Sequence, residues 1–237
     1  MIKNLKILIA HLSAFLLMLS NFSCSNSNFD IIIVGGGTSG IASAIQSSRL
    51  GSKTLLIEES TWLGGMITSA GVSAMDGNYK MPSGFLKEFR DSLVSHYGHL
   101  DSLKTGWVSN LMFEPSVGNR ILKDIAESEK NLKILYGTTI EEVVKDEKFK
   151  IKTKESAITY SSKILIDATE LGDLIPKLNL PYFTGMDSSE RFNEDIAPEL
   201  SNDIIQDLTY VMILKDYGKV MTIKQPNNYN KNEFICS

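Results

Sequence analysis

A few short stretches hold most of the residues able to do chemistry. Gly35-Gly36-Gly37-Thr38-Ser39-Gly40 contains GxGxxG, and Glu58 closes the apolar run that follows it. Two more glycine-bearing turns are Leu63-Gly64-Gly65-Met66 and Asp167-Ala168-Thr169-Glu170-Leu171-Gly172-Asp173. Glycines at the first spacing let backbone do what side chains would block. Gly35 turns the chain sharply, Gly37 leaves room for a pyrophosphate, and Gly40 lets a helix approach a strand. A helix starting there offers free N–H groups and partial positive charge to phosphate. A carboxylate such as Glu58 at the end of the next strand accepts hydrogen bonds from an unphosphorylated ribose diol. The chemistry is therefore the holding of a dinucleotide.

The elements around these residues fit that task. Phe29-Asp30-Ile31-Ile32-Ile33-Val34 reads as a strand buried on both faces of a parallel sheet. The stretch from Ile41 to Leu50 is apolar at helical spacing, with Gly51 placed to end it. Lys53 to Ile57 is a second buried strand, and Lys133 to Tyr136 a third. The stretches 139–145, 148–153 and 157–160 alternate as an antiparallel meander, and 162–167 is a strand running into the last glycine turn. Asn26, Ser27 and Asn28 read as a polar spacer. Two amphipathic helices, Gly84 to Tyr97 and Pro115 to Lys130, fill an insertion over about 70–130. Thr209 to Leu214 reads as a strand opening a further sheet.

The order strand, GxGxxG, helix, strand, acid, LGG, meander and DATELGD resembles the FAD-dependent oxidoreductase family within the glutathione-reductase-like flavoproteins. The motifs carry the resemblance from Phe29 to Asp173, and it extends more loosely to Ile223. It implies an α/β fold: a Rossmann-like FAD-binding domain with a parallel central sheet, an antiparallel β-meander and a helical insertion. It also implies bound FAD, with Gly35, Gly37, Thr38, Ser39 and Gly40 at the first turn and Glu58 and Glu59 beside it. Gly64, Gly65 and Met66 run along the cofactor, the backbone near Val143 meets the adenine, and Ala168, Gly172 and Asp173 approach from the last turn. Glu170 stands where glycine is more usual in that motif. An acid at Asp173 also suits a helix cap, and at this point both readings stand.

No catalytic residue is identified, because no nucleophile–base pair is visible. His96 and His99 suit acid–base work or an ordinary surface position, and no cysteine or carboxylate pair beside them supports a metal. Trp107 and Tyr97 suit a substrate cleft or the core, whereas Met66, Met75, Met81 and Met112 read as packing residues.

The N-terminus reads as an export signal. Lys3 and Lys6 precede an apolar run from Ile7 to Leu19, shorter than the roughly 20 residues of a spanning helix. Cys24 after Ser23 resembles a lipoprotein acceptor, which implies a lipid-anchored, exported protein of the periplasm or cell envelope. A signal without paired arginines implies that FAD is acquired after export. The formal net charge of -4 argues against nucleic acid as a partner. Two cysteines, Cys24 and Cys236, make no disulfide framework.

The sequence thus reads as a signal over 1–24, an FAD-binding domain over 29–175, and the beginning of an incomplete substrate domain over 176–237. The expected activity is hydride or electron transfer between a small, carbohydrate-like substrate and FAD, with a separate electron acceptor. The alternative is a non-catalytic FAD-binding lipoprotein or an inactive truncated fragment.

Overall fold

The β-branched run at Ile31 sits at the centre of the molecule because every face of it is covered. The computed structural model describes residues 26–77, 79–105, 109–212, 215 and 217–234. The segment read as an export signal, Cys24 and Trp107 lie outside the described residues. Strand β1 spans Asn26–Asn28, β2 Ile31–Val34, β3 Thr54–Ile57 and β4 Leu132–Leu135. The meander strands are β5 Ile140–Lys145, β6 Phe149–Thr153 and β7 Ser156–Ser162, and β8 is Ile164–Asp167.

Four strands form a parallel sheet in the order β4-β3-β2-β8. Ile31 pairs with both Thr54 and Ile164, and Val34 pairs with both Ile57 and Asp167. The carboxyl ends of the strands are therefore level and make a common rim, the place where open α/β sheets receive ligands.

Alternating side chains of this sheet feed two cores. Ile33 and Leu56 face helices α1 (Thr38–Arg49), α2 (Gly84–Tyr97) and α3 (Pro115–Glu127), meeting Ile41, Ile45, Phe89, Leu93, Ile121 and Leu122. Ile32, Val34, Leu55 and Ile57 face the meander, meeting Ile140, Val143, Ile151 and Tyr160. Arg49 clamps the helical layer at the far end from the rim. Its guanidinium donates to both carboxylate oxygens of Glu88 (2.7 and 2.8 Å) and to Glu129 (2.7 Å). That contact holds the Glu88 carboxyl below its ordinary range.

The second sheet runs β1-β7-β6-β5 and corrects one expectation. Asn26–Asn28 is not a spacer but a strand paired parallel with β7, Asn26 opposite Thr159 and Asn28 opposite Ser161. Backbone groups along the free edge of β7 accept any residue type, so the polar side chains are no obstacle. The Ser161 hydroxyl also donates to Asn28 Oδ1 at 2.6 Å. A single residue, Lys163, separates β7 from β8 and joins the two sheets.

Beyond β8, α4 (Leu174–Lys177) and α5 (Ser189–Phe192) are single turns. The strand expected over Thr209–Leu214 does not form: 209–212 have no strand partner, and 213 and 214 lie outside the described residues. Large apolar residues there face solvent, among them Leu208 at 86% and Ile223 at 93% exposure. A strand needs a neighbour for its backbone, and the chain provides none to 209–212 among the described residues. Among the described residues no helix is long and apolar enough to cross a membrane.

Candidate cofactor site

Three turns meet at the carboxyl rim of the parallel sheet. The first leaves β2 at Gly35, whose φ of +96° suits glycine. A Cβ on Gly35 would lie 2.3 Å from the Ala168 carbonyl oxygen, and one on Gly40 would lie 1.9 Å from the Gly35 oxygen. These two glycines are packing requirements: strand β2, helix α1 and the β8 turn touch through backbone. Gly37 differs, because a Cβ there would meet nothing within 4 Å. It caps α1, no side chain caps that end, and no acid sits in the first turn. The uncapped start of α1 thus lies beside a residue with no side chain and open space at its Cβ position, an arrangement that suits an anionic group. Thr38 and Ser39 are exposed on the same turn.

Glu58 underlies the turn. Its two carboxylate oxygens accept hydrogen bonds from the N–H of Gly36 at 2.6 Å and of Ser60 at 2.8 Å. A carboxylate has about four acceptor positions, so it retains capacity for a diol. Sequence reasoning passed over Gly36, where a Cβ would fall 2.9 Å from Glu58 Oε2. Glu59 points to solvent.

The second turn carries Gly64 and Gly65 against the first. The N–H of Gly64 donates to the Gly36 carbonyl at 2.8 Å, and the Thr38 hydroxyl donates to the Gly64 carbonyl at 3.1 Å. Asn119 of α3 accepts from the Leu63 N–H at 2.9 Å, a positioning contact with no advance sign in the sequence. Met66 is 52% exposed, not a packing residue, because the 3₁₀ turn Gly65–Ile67 directs it outward. Met81 is also exposed, while Met75 packs against the first core.

The third turn follows β8. Ala168 packs on the glycine turn, and its N–H donates to the Val34 carbonyl at 2.8 Å. Gly172 has a φ of +70°. Asp173 is exposed and makes no capping bond; the bond to the Leu174 N–H comes from Asp167 instead. The helix-cap reading of Asp173 is thereby corrected. Val143 stands apart from the three turns, paired with Ile151 and with its side chain in the meander core, although β5 is an edge strand.

A cavity of about 350 Å³ adjoins the second turn, lined by Trp62, Thr68, Ser69, Ala70, Gly71, Pro115 and Val211. The Ser69 hydroxyl donates to the Gly65 carbonyl at 3.2 Å, which ties the cavity wall to the LGG backbone. No lining residue is charged. The histidines lie elsewhere: His96 meets Arg120 at 3.1 Å, and the His99 ring accepts from the Asp101 N–H. Both are exposed, as their ordinary surface reading expects. Tyr97 packs at the edge of the first core, and its hydroxyl bonds Glu114. Among the described residues no cluster suits a metal ion.

The family model described as FAD dependent oxidoreductase matches residues 30–234. A leghemoglobin reductase of Vigna unguiculata is 28% identical over 125 residues, covering 52% of this chain and 24% of its own length. The chain thus spans about a quarter of that relative. Among solved structures, the thioredoxin reductase of T. acidophilum is 22% identical with a TM-score of 0.36, over 60% of this chain and 35% of that one. The p-nitrophenol 4-monooxygenase of Pseudomonas putida is 12% identical with a TM-score of 0.46, over 68% and 46%.

Proposed function

The chain belongs to the FAD dependent oxidoreductase family, and from that premise we propose that it holds FAD across the rim and oxidises or reduces a small, uncharged, carbohydrate-like molecule. The observation that carries the reading is the open space at Gly37, set between the uncapped start of α1 and the Gly64–Gly65 turn. Bound FAD supplies the redox chemistry, accepting or donating a hydride or electrons. The chain's own residues bind and orient. The first N–H groups of α1 and the bare backbone of Gly37, Gly64 and Gly65 receive the pyrophosphate, Glu58 takes the ribose diol, and the edge backbone of β5 near Val143 receives the adenine. Asp173, with no capping bond of its own, faces the ribityl and phosphate side.

The cavity beyond the LGG turn supports the substrate class. Its volume lies at the low end for small-molecule sites, roughly 300–1,000 Å³. Trp62 offers a flat apolar wall and Ser69 a hydroxyl, while no charged side chain is present to pair with an ionic substrate. Electrons leave to a separate acceptor.

We place the protein outside the cytoplasm, tethered through a lipid on Cys24 and touching the membrane only there. Mass spectrometry of the mature N-terminal peptide tests this; an unmodified Cys24 in the processed chain sinks the anchor.

The deciding experiment is an absorbance spectrum of residues 25–237 purified with added FAD. Flavin bands that survive desalting support the site. A folded, colourless protein overturns it.

A further inference from the structure

We propose that Asp167 is the positioning residue of the third turn, holding it in the one shape that leaves the Asp173 carboxylate available to the cofactor. The inference rests on the FAD reading above and assigns a task to Asp167, which pairs with Val34 at the end of β8 and lies outside the cavity beside the LGG turn.

The side chain of Asp167 ties together both ends of the turn. Its Oδ1 accepts from the Thr169 N–H at 3.1 Å and from the Thr169 hydroxyl at 2.7 Å, and its Oδ2 accepts from the Leu174 N–H at 3.0 Å. Because the Thr169 hydroxyl gives its proton to Asp167, its lone pairs face the other way and accept from the Asp173 N–H at 2.7 Å. A relay runs from one carboxylate through one hydroxyl to the backbone of the next acid. Capping α4 would need only the Leu174 bond. The other contacts fix the path of 168–173, and they do so where Ala168 lies against Gly35 and Gly40. The turn therefore spends Asp167 on its own folding, and Asp173 remains exposed with no capping bond.

The test compares Asp167→Asn, Thr169→Val, Thr169→Ser and Asp173→Asn with the wild-type chain, reading FAD dissociation constants and, without FAD, hydrogen exchange at the Asp173 amide. Charge-assisted hydrogen bonds of this kind predict a loss of FAD affinity of about tenfold or more for Asp167→Asn and Thr169→Val. Thr169→Ser keeps the hydroxyl and stays within about twofold of wild type. The double variant Asp167→Asn/Asp173→Asn binds no more weakly than the worse single variant, since both act through one carboxylate. The Asp173 amide exchanges faster in Asp167→Asn and Thr169→Val than in wild type or Thr169→Ser. Unchanged exchange, unchanged affinity, or strictly additive losses overturn the proposal. A wild-type chain that binds no FAD overturns the cofactor reading instead, and the exchange rates then still decide whether the relay exists.

Discussion

The turns that follow β2 and β8 lie side by side at the same rim yet are shaped by opposite means. After β2 the chain is shaped by what is missing: glycines at 35 and 40 let backbone meet backbone at distances no Cβ tolerates, and glycine at 37 leaves a space unfilled. After β8 it is shaped by what is present, a carboxylate that gathers two amides and a hydroxyl. Missing side chains create room at fixed geometry. A side-chain staple fixes geometry while leaving the neighbouring acid at liberty. The two devices together tie the rim's backbone in place and leave room at Gly37.

The largest effect is expected at Gly40. Gly40→Ala puts a Cβ into the Gly35 carbonyl and should cost about 3 kcal/mol of stability or more, read from the urea midpoint; a loss under about 1 kcal/mol would show that helix and strand are not in obligate backbone contact. Gly37→Ala is the contrasting change. With a φ of −63° the position accepts alanine, so stability should stay within about 1 kcal/mol while FAD affinity falls by about a hundredfold, by titration against flavin fluorescence. Equal effects of the two alanines would erase the distinction between packing glycines and cradle glycines.

Glu58→Gln mixes the two devices, since a side chain there supports a glycine turn. It sets an amide NH2 against the N–H of Gly36 or Ser60, and the expected cost is about 1–2 kcal/mol by denaturant melt. The smallest effect belongs to Arg49, far from both turns. Arg49→Met should cost less than about 1 kcal/mol at neutral pH, because the pairs are largely at the surface. Arg49 depresses the Glu88 carboxyl in the folded chain, so that stabilisation is present above the unfolded value near 4.5 and is lost as pH falls through the lower folded value. The gap between wild type and variant in melts at pH 7 and pH 3 should therefore close on acidification. FAD affinity should not move.

The glycine device was legible because a missing side chain is written directly in the sequence. Gly35 and Gly40 carry their packing tasks in their spacing, and the buried runs around Ile32 and Leu55 mark the parallel sheet. The staple was harder to read. Asp167 opens an acid-x-threonine pattern that commonly closes a local turn, but Asp173 occupies the more obvious capping position, and only the hydrogen bond from the Leu174 N–H to Asp167 separates their roles. Asn26–Asn28 reads as a spacer because edge pairing draws on backbone groups and leaves no trace in side-chain pattern. Thr209 to Met212 failed the other way: strand-forming residues are present, but pairing depends on a neighbour that no local pattern encodes.

The pairing of β1 with β7 also sets the length of a leash. Among the described residues the first locked into the sheet is Asn26, two positions after Cys24. With a lipid on Cys24, as proposed, about 7 Å of extended chain separates the bilayer from a fixed strand. So short a leash does not let the domain tumble freely. Such an anchor would keep the β1–β7 edge next to the lipid headgroups and restrict the directions in which the cofactor rim could face, and with them the directions from which substrate and acceptor would arrive.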